Sequence, residues 1–228
     1  MPKKSQFLHF FSPVSYFVAT AMLTPAGLLL LRSFSAYSRE SILIYIVCCA
    51  ILALVGLFDF GQSLAGICAE KSGSAGKWNS FIAFCYACGG SCFLGGAVMY
   101  WPDFPPSIAP AGTIVFRTGS ICYLTGSITF FFRLQLSAWR LDPNSTAHAK
   151  SVQQGLQRGF CWYLPLAHAT MLLPYIFGAV LFIVGGVLSS PDNDNGALCW
   201  IVGGGLFWVG GTAGLRLAIV SRPVEDQA

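Results

Sequence analysis

The sequence predicts an all-helical integral membrane protein that crosses the bilayer about six times, as three repeated antiparallel hairpins. Two observations predict this fold class. Of the 228 residues, 55% are hydrophobic and only 10% are charged, whereas soluble domains carry about 25% charged residues. The apolar residues also gather in runs close to the roughly 20 residues that a helix needs to cross a bilayer.

Six such runs are separated by polar connectors. They cover residues 11–31, 42–62, 81–101, 112–132, 160–188 and 197–220. Because each connector joins two runs of spanning length, successive helices must run in opposite directions. We therefore divide the chain into a first, degenerate hairpin (1–70), a second hairpin (71–136), a polar linker (137–159), and a third hairpin with a short polar tail (160–228).

Basic residues concentrate on one side of this six-span arrangement. That side carries Lys3, Lys4, Lys71, Lys77, Arg133, Arg140, Lys150, Arg158, Arg216 and Arg222. The opposite side has Arg32 and Arg39, followed by loops whose charges are acidic. The positive-inside rule then predicts that both termini and the polar linker face the cytoplasm or its topological equivalent.

Glycines recur at a seven-residue step in four of the predicted helices. The pairs are Gly89 and Gly96, Gly119 and Gly126, Gly178 and Gly185, and Gly203 and Gly210. Seven residues are close to two helical turns, so each pair lies on one stripe where a neighbouring helix can approach closely. We predict that these glycines are helix-packing residues. Their matching positions in the second and third hairpins also indicate an internal repeat, which the first hairpin follows more loosely.

These stretches resemble the YrhK-like domain family, which consists of small membrane hairpins marked by small-residue pairs seven residues apart. Residues 89–96, 116–127, 177–186 and 203–211 carry the resemblance, and it is best over 85–134 and 171–218. The resemblance implies a membrane hairpin with no established activity and no catalytic residues to carry over.

Ionisable side chains inside a span are costly and are therefore candidate functional residues. Asp59 lies late in the second span and Arg117 lies early in the fourth. In the predicted topology they belong near opposite faces, so a direct pair between them is not expected. Asp59 with Gln62 forms a candidate cation or proton site. Alternatively, the side chains of Asp59 and Arg117 each extend to the nearer membrane interface, where the charge stays hydrated. His168, in the fifth span, is interpreted as a hydrogen-bonded structural histidine rather than a haem or metal ligand.

Several functions are excluded by what the sequence contains. The formal net charge of +4 is small and scattered, which argues against nucleic-acid binding. Most of the nine cysteines lie in apolar runs, where cysteine usually acts as a small hydrophobic residue, including the Cys85-x-x-Cys88 pair. The chain has no nucleophile elbow, metalloprotease motif or phosphate loop. We predict no enzymatic activity, no catalytic residue, no cofactor and no bound metal.

Two functions remain. The composition favours a structural or interaction protein, a subunit or scaffold of a larger membrane assembly, in contact with lipid and with membrane-protein partners or a second copy of the chain. The alternative is a small ion or metabolite transporter or channel that uses Asp59. Glycine stripes and few charges support the first function, and internal repeats with Asp59 and Arg117 support the second.

Overall fold

A computed structural model describes residues 2–31, 38–69, 74–139, 164–189 and 194–220. These residues form α1 (Pro2–Leu29), α2 (Ser38–Ala69), α3 (Ser74–Met99), α4 (Ala109–Trp139), α5 (Leu164–Leu188) and α6 (Asn195–Val220), with a short 3₁₀ helix (Pro106–Ile108) before α4. All six α-helices are long and apolar enough to cross a membrane. The predicted fold class, an all-helical membrane protein with about six spans, is confirmed.

The helices extend beyond the apolar runs at some ends. α1 begins at Pro2, before the predicted start at residue 11, and α4 continues to Trp139, through the first three residues of the predicted linker. Hydropathy marks where the chain leaves the hydrocarbon, whereas a helix satisfies its own backbone hydrogen bonds and can continue into the interface. The remainder of the linker, 140–159, lies outside the described residues.

The helices form a closed ring. Each helix packs against its neighbours in sequence, and α6 packs against α1. Neighbours are antiparallel: Phe11 of α1 contacts Phe58 near the end of α2, and Gly27 near the end of α1 contacts Ile201 in the first half of α6. The start of α1 and the end of α6 therefore share one side of the ring, here called the termini face. The ends of α1, α3 and α5 and the starts of α2, α4 and α6 lie on the opposite side, here called the loop face.

Aromatic side chains from four helices fill the middle of the ring. Phe93, Phe116 and Phe182 contact one another with ring centroids 4.8–6.0 Å apart, and Phe207 lies 5.5 Å from Phe182. We call these four residues the aromatic plug. The first hairpin supplies the smaller side chains Leu23, Cys49 and Leu52 at the same level. The plug is the point at which all six helices meet.

Large apolar side chains also cover the outside of every helix. Examples from successive helices are Val18, Leu54, Phe84, Ile121, Phe177 and Val209, which are 42%, 65%, 47%, 53%, 59% and 53% exposed. Such a surface is stable against lipid tails but not against water. Contact with a lipid bilayer therefore follows from the outer surface as well as from the length of the helices.

Glycine doublets place small residues against both neighbours of a helix. Gly89 faces Tyr123 and the backbone of Gly119 in α4, whereas a Cβ at Gly90 would lie 2.7 Å from the backbone nitrogen of Ala53 in α2. Likewise Gly203 faces α5, and Gly204 faces α1. Adjacent side chains point about 100° apart around a helix. The two glycines of a doublet can therefore face the two neighbouring helices of the ring.

The remaining predicted packing glycines lie at the interfaces inside their own hairpins. Gly96, Gly119 and Gly126 face the partner helix of the second hairpin, and Gly178, Gly185 and Gly210 do so in the third. In the first hairpin, by contrast, Gly56 packs against the backbone of Ala87 in α3, and Gly27 packs mainly against Ile201 in α6. Gly27 and Gly56 therefore join the first hairpin to the other two.

A charged cluster on the loop face joins the first turn of α2 to the connector between α3 and α4. The Arg39 guanidinium donates hydrogen bonds to both oxygens of Asp103, each 2.6 Å long. The Trp101 indole N–H also donates to Asp103 at 3.1 Å, and the Arg39 guanidinium lies 5.7 Å from the centre of the Trp101 ring. Both charged side chains are more than half exposed, so the cluster contributes little to stability.

Contact between α1 and α6 distinguishes a closed ring from an open row of hairpins, and a disulfide can test it. A Cβ at Gly205 would lie 3.8 Å from the Thr24 hydroxyl, an ordinary contact that is compatible with disulfide geometry. We expect the Thr24→Cys/Gly205→Cys protein to form this cross-link under mild oxidation, as detected by mass spectrometry of non-reduced peptides. Thr24→Cys/Gly61→Cys is the control. An equal yield from both double variants would contradict the closed ring.

Candidate axial binding site

A cavity of about 400 Å³ lies on the axis of the ring, in the half next to the termini face. We call it the vestibule. All six helices contribute to its wall, which is formed by Ser12, Pro13, Tyr16, Asp59, Tyr86, Tyr123, Phe130, Met171, Leu172, Tyr175, Gly211, Gly214, Leu217 and Ala218. Most of these side chains are apolar or aromatic, and few polar groups interrupt them. Such a wall is typical of a small-molecule binding pocket.

Among the described residues that line the vestibule, Asp59 is the acidic one. The hydroxyl of Ser12 donates a hydrogen bond of 2.5 Å to its carboxylate, across the interface between α2 and α1. Within the described part of the chain, the ion pair of Arg39 and Asp103 lies on the other face of the ring, and no basic side chain pairs with Asp59. A half-buried carboxylate without a neutralising partner favours a cation beside it.

Four tyrosines place their hydroxyls near one another at the inner end of the vestibule. Four hydroxyls lie close enough to interact electrostatically with one another, those of Tyr16, Tyr86, Tyr123 and Tyr175. The Tyr16 hydroxyl also interacts with the Asp59 carboxylate. The hydroxyl of Tyr86 has a partner, Ser127, at 3.2 Å. Those of Tyr16 and Tyr123 are buried and interact with each other, and neither has a hydrogen bond to any other described residue.

Buried hydroxyls usually find their hydrogen-bond partners within the protein, because burial removes their water partners. Tyr123 is only 2% exposed, and its hydroxyl oxygen and that of Tyr16 have buried hydrogen-bonding capacity to spare. The described part of the vestibule therefore offers a bound molecule the Asp59 carboxylate and two hydroxyl oxygens that can still accept hydrogen bonds, all set in an apolar wall.

Beyond the tyrosines, the axis is closed by the aromatic plug. The void at the plug is about 10 Å³, at the lower limit for a single water molecule. On the loop-face side lies a second cavity of about 80 Å³, lined by Leu30, Ile42, Tyr45, Ala97, Tyr100, Phe116 and Trp200. Two cavities thus lie on one axis with an apolar constriction between them.

Arg117 lies on the loop-face side of the plug and does not reach Asp59. Its guanidinium donates a hydrogen bond to the backbone carbonyl of Gly186 in α5. Its side chain packs directly on Gly186, where a Cβ would lie 3.0 Å from the Arg117 Cγ. Its Nε–H has no partner among the described residues. Arg117 therefore joins the second hairpin to the third at the interface of α4 with α5.

The other two predicted polar residues are not part of the vestibule as described. Gln62 is exposed and lies almost one turn beyond Asp59 toward the end of α2, outside the vestibule wall. The backbone of His168 belongs to α5, but its side chain lies outside the described residues. The partner of Asp59 is instead Ser12, which the sequence did not single out because it lies 47 residues away.

The tyrosines had a sequence signal that went unused. Tyr86 precedes Gly89 by three residues, and Tyr175 precedes Gly178 by the same three. The matching offset in two hairpins indicates equivalent positions around the axis. The signal for Tyr123 was weaker, because phenylalanine stands at the corresponding offset from Gly203.

The cysteines of α3 lie near one from α4. Cys85, Cys88 and Cys92 are free thiols along α3. Cys122 of α4 lies close enough to interact electrostatically with Cys88 and Cys92 and with Cys85. Across the described part of the chain, no group of three or more histidine, cysteine and acidic side chains has a geometry able to hold a metal ion.

Fold and cavity together define a multi-pass, all-helical membrane protein with an axial vestibule. Comparison with protein-family models, with curated proteins and with solved structures gives no match for the chain. The resemblance to the YrhK-like family therefore stays a prediction.

Proposed function

We propose that this protein is a small transporter or channel, and that its vestibule receives a cation, or a metabolite with a positive charge, beside Asp59. The observation that carries this proposal is the position of the carboxylate. Asp59 lines a cavity of about 400 Å³ on the axis of the ring, and its described partner is the neutral Ser12. A carboxylate at membrane depth is costly unless a cation or hydrogen bonds compensate it.

The arrangement of cavities along the axis supports movement across the membrane in addition to binding. The vestibule and the smaller cavity lie on opposite sides of an apolar constriction. Hydrophobic constrictions close pores by excluding water. In this proposal the described conformation is closed toward the loop face, and passage requires the aromatic plug to rearrange.

A structural or scaffolding role is the second candidate. The apolar outer surface favours it, since such a surface accepts lipid or another membrane protein. The glycine stripes, however, are used inside the chain: Gly90 and Gly204, like the stripes themselves, face neighbouring helices of the same ring. The sequence feature that first suggested a partner is therefore explained by intramolecular packing, and the scaffold proposal loses that support.

Flux through reconstituted protein tests the proposal. We expect liposomes containing the wild-type protein to take up monovalent or organic cations, and the Asp59→Asn protein to lose most of this flux. The amide keeps the shape of the side chain but removes the negative charge. The measurement is uptake of Na⁺, K⁺, protons and methylammonium, recorded with ion-sensitive dyes or radiolabel.

Asp103→Asn is the matched control, since this aspartate pairs with Arg39 on the loop face, away from the vestibule. Flux should survive that change. If neither wild-type protein nor either variant conducts, and the tagged protein runs on native gels in a large complex with stoichiometric partners, the scaffold candidate replaces this one.

Two further assignments belong to the same proposal. The termini face is placed in the cytoplasm or its equivalent, as the basic residues on that side favour. The vestibule then opens toward the cytoplasmic side. The second and third hairpins are proposed as copies of one YrhK-like unit, supported by the equivalent positions of their glycines and of Tyr86 and Tyr175.

A further inference from the structure

The size of the vestibule is the first indication of what it binds. A bare ion needs only a few oxygen ligands at about 2–2.6 Å, whereas the vestibule measures about 400 Å³. Pockets for drug-sized molecules have about 300–1,000 Å³. The space therefore suits an organic molecule better than a single dehydrated ion.

The chemistry of the wall is the second indication. Leu172, Met171 and Leu217 provide apolar surface, and Tyr175 adds an aromatic ring. This surface would leave hydrating water without hydrogen-bond partners, so a strongly hydrated ion gains nothing from it. An apolar or aromatic body, by contrast, is stabilised there.

The polar groups are the third indication, because they complement an ammonium group. Asp59 supplies a negative charge, and the hydroxyls of Tyr16 and Tyr123 have unused capacity to accept hydrogen bonds. A protonated primary amine carries one positive charge and three N–H donors. A carboxylate and two phenol oxygens can accept all three.

We infer that the vestibule binds a small apolar molecule that carries one protonated amine. The ammonium lies between the Asp59 carboxylate and the hydroxyls of Tyr16 and Tyr123, and the apolar part lies against Leu172 and Tyr175. This inference rests on the proposed function, since it names the class of cation that the vestibule receives.

Binding of 2-phenylethylamine to the full-length protein in nanodiscs tests the inference, with empty nanodiscs as the background and 2-phenylethanol as the uncharged analogue. By isothermal titration calorimetry at neutral pH, we expect the amine to bind and the alcohol to bind at least about tenfold more weakly, because charge-assisted hydrogen bonds are the stronger kind. Asp59→Asn should weaken amine binding by about tenfold or more.

Tyr123→Phe removes one hydroxyl and keeps the ring, and it should weaken amine binding by about tenfold. Tyr45→Phe is the matched control: Tyr45 is also buried, with an unpaired hydroxyl, but it lines the smaller cavity on the other side of the plug. Amine binding should not change in that variant. All variants are first checked for a single symmetrical peak in size-exclusion chromatography.

Three results would overturn the inference. One is equal binding of the amine and the alcohol, and another is amine binding that is unchanged in Asp59→Asn or equally weakened in Tyr45→Phe. The third is absent amine binding together with Na⁺, K⁺ or proton flux that depends on Asp59, which leaves the proposed transport function in place. The proposed function itself fails only if no cation flux depends on Asp59.

Discussion

Replacing Gly90 by alanine is expected to destabilise the folded protein severely. The added Cβ would lie 2.7 Å from the backbone nitrogen and 2.8 Å from the Cα of Ala53 in α2. Backbone atoms cannot rotate away as a side chain can, so α2 and α3 must separate. We expect a loss of about 2 kcal/mol or more in the free energy of unfolding, because overpacking outweighs the gain of about 1 kcal/mol in helix propensity.

Gly95→Ala is the matched control on the same helix. A Cβ at Gly95 would lie 3.7 Å from a Val115 methyl group, an ordinary contact, so this variant should be as stable as the wild type or slightly more stable. The measurement is thermal denaturation in mild detergent, with the fraction of protein that remains monodisperse recorded at each temperature. Equal melting temperatures for Gly90→Ala and Gly95→Ala would show that α2 and α3 do not approach so closely.

Replacing Phe182 by alanine is expected to open the axis of the ring. Phe182 is 2% exposed and contacts Phe93, Phe116 and Phe207 in the aromatic plug. Its removal enlarges the void that separates the vestibule from the smaller cavity, and a wider constriction admits water. We expect a constitutive cation leak across liposomes. The lost packing should also lower the free energy of unfolding, by up to about 3–5 kcal/mol.

Phe177→Ala provides the comparison, since Phe177 lies five residues earlier on α5 and is 59% exposed on the outer surface. It deletes the same atoms from the lipid-facing side and should leave the liposomes tight. Dye-reported flux of K⁺ and protons is measured for both variants at matched protein density. A Phe182→Ala protein that folds and remains as tight as Phe177→Ala would exclude the ring axis as the pathway.

The candidate site was only partly predictable from the sequence. Asp59 was found because a carboxylate in an apolar run is conspicuous whatever surrounds it. Its assigned neighbour, Gln62, was chosen by proximity in sequence, but the hydrogen bond goes to Ser12 on another helix. The hydroxyls of Tyr16 and Tyr123 meet because their side chains, from two different helices, both reach the vestibule, and no local sequence pattern specifies such a contact.

The sequence by itself determined the fold class, the number of spans and the positions at which helices can approach closely. These properties are local, because they depend on the length of an apolar run and on small residues two turns apart. Only the tertiary structure decided that the hairpins close into a ring, that doublets such as Gly89 with Gly90 serve two neighbouring helices, and that Asp59 faces a shared cavity. Ring closure depends on the contact of α1 with α6, between segments at opposite ends of the chain. Periodicity shows which face of a helix carries small or apolar residues. Which helix packs against that face depends on how all six helices pack together.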